Sequence, residues 1–216
     1  MGRLIVIEGG DGCGKETQSK LLENYLKEIK EKVLRLSFPS YGTKQAGPVE
    51  MFLDGELGDR DKIDPVTISN FYAIDRACTM YQKNIKSLLE EGYWIICDRY
   101  VESNIIYQTA MVEDTSTKNV IIKEIKYLEY DLMGIPVPDD IIYLDLNRTI
   151  SKKLIDSRGE KKDINEKNEL FMERVHQNGK FLAEKYKWKI INCDDGENIL
   201  SFSDIHLKIL RTLHID

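Results

Sequence analysis

Leu4-Ile5-Val6-Ile7-Glu8-Gly9-Gly10-Asp11-Gly12-Cys13-Gly14-Lys15-Glu16-Thr17 is the stretch on which the reading of the whole chain turns. An apolar β-branched run enters a glycine-rich loop. The loop passes directly into Glu16 to Lys32, where Leu21, Leu22, Tyr25, Leu26 and Ile29 recur at spacings of three and four, the stripe of a helix packed on a sheet. Gly9 to Lys15 fits the G-x-x-x-x-G-K pattern of a phosphate-binding loop, in the strand-loop-helix setting that such a loop requires. Glycines let backbone N–H groups converge on phosphate oxygens, the helix N-terminus adds partial positive charge, and Lys15 can reach the terminal phosphates. Gly9, Gly10, Asp11, Gly12, Cys13, Gly14, Lys15, Glu16 and Thr17 are therefore the candidate phosphate cradle. The dinucleotide pattern G-x-G-x-x-G fails, because counting from Gly10 the sixth position is Lys15. One position departs from the usual loop: the hydroxyl residue expected after the lysine to ligate Mg²⁺ is Glu16, and the hydroxyl follows as Thr17. That carboxylate could face Mg²⁺ directly, act through a water, or simply lie on the helix surface.

Outward from this unit, apolar runs recur at Val33 to Phe38, Trp94 to Cys97, Ile141 to Leu146 and Lys189 to Cys193. Runs apolar at successive positions suit strands covered on both faces, so about five parallel strands are expected between helices. Long helical segments are expected from Pro65 to about Glu91, from Thr117 to Met133 and from Asn165 to Lys187. No repeat or low-complexity linker divides the 216 residues, and a single domain is the simplest assignment.

Composition narrows the function. With 42% hydrophobic residues the chain can bury a substantial core. Lys+Arg 31 against Asp+Glu 37 leaves a net charge of −6, so no overall basic character points to nucleic acid, and an anionic ligand must be met locally. No apolar stretch approaches the roughly 18 residues of a membrane span. The N-terminus enters a strand pattern at once, without the features of a secretory leader. Cys13, Cys78, Cys97 and Cys193 form no C-x-x-C pair, which suits packed thiols in a reducing cytoplasm.

Two further clusters stand out. Asp98-Arg99-Tyr100 follows the run Trp94 to Cys97, at the carboxyl end of a strand beside the first, where ligand crevices of open α/β sheets lie. The acid can organise Mg²⁺ and the arginine can bridge phosphates, although a strand-end Asp-Arg pair can also be a local salt bridge. Tyr72 and Arg76, four apart on one helical face, could stack on and hydrogen-bond a nucleobase, or belong to the core. The cationic run Arg158-Gly159-Glu160-Lys161-Lys162-Asp163 reads as a mobile lid or as solvated charge.

Taken together, Ile7 to Lys15, Phe38-Pro39-Ser40-Tyr41-Gly42, Asp75-Arg76, and Asp98-Arg99-Tyr100-Val101-Glu102-Ser103-Asn104 with Tyr107 resemble thymidylate kinase, within the P-loop nucleoside monophosphate kinases. The resemblance spans nearly the whole chain. It implies a three-layer α/β P-loop kinase fold, a five-stranded parallel sheet surrounded by helices, with one kinase domain over 1–216 and a lid near 157–165. The implied reaction moves the γ-phosphoryl of ATP to dTMP, giving dTDP, with Mg²⁺ as cofactor, in a cytoplasmic homodimer without nucleic-acid or membrane partners. Lys15 and the loop amides would hold the donor phosphates, Thr17 the α-phosphate, and Arg99 both donor and acceptor phosphates. Asp11 would lie near the sugar 3′-hydroxyl and Mg²⁺, and Asp98 would organise metal and phosphate. Phe38 and Tyr41 belong to the dTMP site, Tyr72 replaces the usual phenylalanine stacked on thymine, Arg76 would donate to a thymine carbonyl, and Asn104 would meet the base edge. Tyr107 would crowd the sugar 2′ position. Tyr41 stands where many members carry an arginine for the monophosphate, and Gly12 where others carry one for the transferring group. The lid would then supply that cation, with Arg158 first and Lys161 and Lys162 behind it.

A deoxynucleoside kinase would want a carboxylate base, for which Asp98 or Glu8 could serve, but Phe38 to Gly42 speaks against it. A GTP switch would need Asn-Lys-x-Asp, which is absent from the sequence. A non-catalytic nucleotide-binding module is the remaining alternative.

Overall fold

The structure is a computed structural model that describes residues 2–157 and 163–215. Five strands, β1 (Arg3–Gly9), β2 (Val33–Ser37), β3 (Trp94–Asp98), β4 (Asp140–Asp145) and β5 (Lys189–Asn192), form one parallel sheet in the order β2-β3-β1-β4-β5. Each coincides, within a residue or two at its ends, with an apolar run legible in the sequence. Strand β1 lies at the centre, and Leu4, Ile5, Val6 and Ile7 are fully buried. Alternation divides them between two cores. Leu4 and Val6 join Ile95 and Cys97 on one face, while Ile5 and Ile7 join Ile96 and Ile142 on the other. The second face is closed by α1 (Lys15–Glu28) and α9 (Phe202–Leu213), through Leu22, Leu26, Ile205 and Ile209. The first is closed by α5 (Val101–Ala110) and α8 (Glu169–Lys185), through Ile105, Ile106, Phe171 and Leu182. Burial on both sides explains why the central strands β1, β3 and β4 read as continuous apolar runs, whereas the edge strands β2 and β5 are only partly buried.

Helix boundaries depart from the sequence reading at four places. The segment from Pro65 to about Glu91 is two helices, Pro65–Gln82 (α3) and Ile85–Glu90 (α4), because Asn84 takes a left-handed conformation with φ 50. Thr117 to Met133 is a helix, Thr115–Lys126 (α6), that continues as a π-helix over Tyr127–Leu132. Helix α1 stops at Glu28, ahead of left-handed Lys30, so Ile29 leaves the apolar stripe and is exposed. Helix α8 starts only at Glu169, where the Asn168 side chain accepts the Phe171 N–H at 3.0 Å. Helix α5 was not foreseen, since residues on nearly every face of it are buried and no polar stripe marks its period. Gly47–Asp54 (α2) and α9 were also not foreseen, and Arg148–Ser157 (α7) is the helix-like stretch ahead of the cationic run. Among the described residues no helix is long and apolar enough to cross a membrane.

The register positions the chemistry. Ile7 pairs with Asp98 across β1 and β3, so the glycine loop and Asp98-Arg99 leave the same edge of the sheet side by side.

Candidate nucleotide site

The glycine loop turns because Gly12 and Gly14 take φ of 81 and 88, a region that side chains strongly disfavour. At Gly12 a Cβ would also meet the Ser151 carbonyl oxygen at 2.9 Å. Lys15, in the first turn of α1, folds back over the loop. Its Nζ donates to the Gly10 carbonyl at 2.8 Å and lies 3.8 Å from Asp11 Oδ1.

Arg99 follows β3 with φ 66, and its backbone N–H donates to the Ile7 carbonyl at 3.1 Å. The side chain pairs with Asp11 Oδ1 in the loop, not with adjacent Asp98, and Tyr107 Oη on α5 donates to Asp11 Oδ2 at 2.7 Å. Burial alone would raise the Asp11 carboxyl, but Arg99 and Lys15 hold it at about 2. Burial likewise opposes the Arg99 charge, and Asp11 overcomes it, keeping the guanidinium well above its usual range. Asp98 is buried at the strand end, which pushes its carboxyl up against the opposing pull of Lys15 and Arg99.

Beneath these groups Glu8 is wholly buried. It accepts the N–H groups of Tyr100 at 2.9 Å and Ser103 at 3.1 Å, and the Ser103 hydroxyl at 2.7 Å. The strand thereby caps the start of α5 and aims Asn104 and Tyr107 into the site. On the far wall, Asp75 accepts from the Ser40 backbone N–H at 2.9 Å and from the Ser40 hydroxyl, tying Phe38 to Gly42 onto α3. Arg76 is buried, and its Nε and Nη2 donate to the two oxygens of Glu129 at 2.6 and 2.9 Å.

These walls enclose a cleft of about 440 Å³. Asp11, Gly12, Gly14, Lys15, Glu16, Thr17, Phe38, Tyr41, Tyr72, Arg76, Asp98, Arg99, Asn104 and Tyr107 all line it. Gly9, Gly10 and Cys13 lie outside the lining, and Cys13 is buried. Glu16 is exposed at the cleft mouth, and its Oε1 accepts from Lys20 Nζ at 2.6 Å. Arg158, Lys161 and Lys162 lie outside the described residues. Burial pushes the Tyr72 hydroxyl well above its usual range.

Sequence reasoning missed several lining residues: Ser103, Gln108, Asp163, Asn165 and Glu166. Ser103 sits inside the quoted Asp98 to Asn104 motif, so its spacing was visible although its role was not. Asp163 ends the cationic run and turns back into the cleft, its Oδ1 accepting the N–H groups of Asn165 and Glu166 at 2.7 and 2.8 Å. Burial raises its carboxyl to about 6. Among the described residues no group of three or more His, Cys, Asp or Glu side chains gathers as a metal cage.

The chain is similar to known proteins over most of its length. The thymidylate kinase family model matches residues 7–201. A thymidylate kinase of Caldicellulosiruptor saccharolyticus is 32% identical over 194 residues, covering 89% of this chain and 88% of its own. One of Plasmodium falciparum is 30% identical over 210 residues, covering 97% and 89%. The solved thymidylate kinase of Candida albicans superposes with TM-score 0.72 at 22% identity, covering 99% of this chain and 91% of its own, and supports the P-loop kinase fold. That of Ehrlichia chaffeensis gives 0.66 at 25% identity and covers 98% of both chains. A glycine loop facing Asp98-Arg99 across one cleft, with a family match over most of its length, makes this chain a member of the thymidylate kinase family.

Proposed function

We propose that this protein transfers the γ-phosphoryl of ATP to the 5′-phosphate of dTMP, giving dTDP and ADP. One observation carries the reading. A single cleft is lined both by Lys15, Asp98 and Arg99 at the glycine loop and strand end and by Tyr72, Arg76 and Asn104 from α3 and α5. Phosphoryl transfer asks little covalent work of a protein and depends on alignment and charge neutralisation. The loop N–H groups and Lys15 hold the donor phosphates, with Thr17 on the α-phosphate. Arg99, kept rigid by Asp11, bridges donor and acceptor. Phe38 and the Tyr41 hydroxyl border the monophosphate, which is already an anionic nucleophile, so no general base is assigned. The lid is assigned to 157–165, of which 158–162 lie outside the described residues, and Arg158 is the cation assigned to the transferring group. A single domain of 1–216 carries the whole reaction.

The donor set fits Mg²⁺ held chiefly by phosphate oxygens and water, since Mg²⁺ keeps several waters and needs few protein carboxylates. Asp98 is the carboxylate assigned to it. The Asp11 oxygens are engaged by Arg99, Lys15 and Tyr107, and Glu16 is engaged by Lys20, so neither is the first choice. When bound, the ion neutralises phosphate charge.

We assign a homodimer to the apolar strip of Ile74, Cys78 and Tyr81 on α3. All three are exposed, at helical spacing, and Tyr81 Oη donates to the Met133 carbonyl beside exposed Leu132. Four free cysteines, three of them buried, suit a reducing cytoplasm. ATP turnover with dTMP, dUMP, thymidine and buffer alone tests the reading: dTMP should be preferred and thymidine left untouched. Equal turnover of thymidine would overturn it.

A further inference from the structure

Glu129 lies in the π-helix Tyr127–Leu132, where the Met133 N–H donates to the Leu128 carbonyl five residues back. Such turns widen a helix locally and are frequent at functional sites. Here the turn delivers a carboxylate with no solvent exposure to the base end of the cleft. Both oxygens accept from Arg76, Oε2 from Nε at 2.6 Å and Oε1 from Nη2 at 2.9 Å. Oε1 also accepts from Asn104 Nδ2 at 3.0 Å. The other Nδ2 hydrogen goes to the Ser69 carbonyl at 3.0 Å. Burial would pull the Arg76 guanidinium down, but the Glu129 carboxylate more than offsets that and holds it above its usual range.

We propose that Glu129 is the positioning residue that sets the donor and acceptor pattern read by the base, and that it thereby discriminates thymine from cytosine. The inference rests on the dTMP kinase reading. A carboxylate receiving a guanidinium fork and a backbone carbonyl are both acceptors, so the Asn104 amide nitrogen must face them. Its Oδ1 is then turned the other way, where Gln108 Nε2 donates to it at 3.3 Å and a second lone pair remains. With Nε and Nη2 committed, Arg76 has Nη1 left, a pure donor without a hydrogen-bond partner among the described residues. The cleft therefore offers a donor beside an acceptor. Thymine and uracil present O4 and N3–H, which complement that pair. Cytosine presents an amino group and an unprotonated N3, which oppose it at both positions. Neither Arg76 nor Asn104 dictates this alone, because a guanidinium can rotate and an amide can turn over.

The test assays ATP with dTMP, dUMP and 5-methyl-dCMP as acceptors, the last carrying the thymine methyl so that only the reading edge differs from dTMP. Glu129→Gln keeps the shape but adds an NH₂ donor, which allows the Asn104 amide to turn. The ratio of kcat/KM for dTMP over 5-methyl-dCMP is expected to fall by on the order of tenfold or more, through KM for dTMP. The ratio of dTMP over dUMP and the KM for ATP should stay within about twofold, because neither depends on the edge pattern. Glu129→Asp, still acceptor-only, should keep most of the discrimination. Parallel loss with all three acceptors, or an unchanged ratio in the Gln variant, would overturn the proposal. If the Gln variant does not fold, the nucleotide-free wild type supplies the reading by ¹H–¹⁵N NMR. The Asn104 side-chain NH₂ should exchange far more slowly than surface amides, and exchange at the surface rate overturns the assignment. Wild type that leaves dTMP unphosphorylated removes the kinase reading and this inference with it. Wild type that turns over dTMP beside a Gln variant of unaltered discrimination removes the inference alone.

Discussion

Arg99 and Asp11 reach each other from the end of β3 and from the glycine loop, and their ion pair locks the phosphate loop to the strand beside it. Asp11→Asn removes the partner that offsets Arg99 burial, so a loss of about 1–3 kcal/mol in unfolding free energy at pH 7 is expected. The sign with pH is specific. The Asp11 carboxyl is held down at about 2, so its stabilising contribution is present above its ordinary value of 3.8 and is lost as pH falls through about 2. Urea titrations of wild type and variant should differ at neutral pH and converge in strong acid. A constant gap down to pH 2 would refute this linkage.

Lys15→Ala and Arg99→Ala should each depress kcat by on the order of a hundredfold or more, since each removes a cation from the charge developing on the transferring phosphoryl. Steady-state kinetics with dTMP and ATP check this. A rise in KM at constant kcat would reduce both residues to ground-state binding.

Asp98→Asn and Glu16→Gln separate the two carboxylates at the phosphate end. Asp98 is buried in the cleft, whereas Glu16 is exposed and paired with Lys20 at 2.6 Å. The Mg²⁺ concentration for half-maximal rate should rise several-fold in the first variant and stay within about twofold in the second. The reverse order in a Mg²⁺ titration would return the metal to Glu16.

Glu102 supplies a pH dependence of stability of the opposite sign, closer to neutrality. Burial, reinforced by Glu8, raises its carboxyl to about 7, against a hydrogen bond from Tyr130 and the charge of Arg76, and Oε2 has no hydrogen-bond partner among the described residues. A raised value means that its contribution is full below the ordinary 4.5 and is lost as pH rises through about 7. The slope attributable to this group is about −1.4 kcal/mol per pH unit within that window. Glu102→Gln replaces the carboxyl by an amide that stays neutral at every pH, so its stability curve should be flatter by that amount. Parallel curves from pH 4.5 to pH 7 would rule the group out.

Tyr107→Ala should relax the preference for deoxyribose over ribose monophosphates by on the order of tenfold, whereas Tyr107→Phe, which keeps the ring, should not. The Phe variant instead removes the hydroxyl that holds Asp11 Oδ2 at 2.7 Å, and should weaken turnover with both sugars alike. Equal sugar selectivity in wild type and the Ala variant would show that the ring does not bound the 2′ position.

What the sequence determined was whatever repeats locally. Runs of Ile, Val and Leu marked all five strands, most fully the central β1, β3 and β4 that are buried on both faces, and Gly9 to Lys15 marked the loop because its turn needs glycines at fixed places. The span from Asp98 to Tyr107 was legible as a motif of the family it resembles, while its helix was not, because α5 is buried on nearly every face and carries no periodic stripe. Tertiary structure decided the partnerships. Nothing in the local pattern says that Arg99 pairs with Asp11 across 88 residues rather than with its neighbour Asp98. Nothing there ties Glu8 to Ser103 across 95, or brings Glu129 from a π-helix to Arg76 across 53. Periodicity encodes which face of an element is buried, because that depends on the element's own repeat. Which charge meets which in the interior depends on how whole elements pack, where a buried ion must find its partner through space and not along the chain.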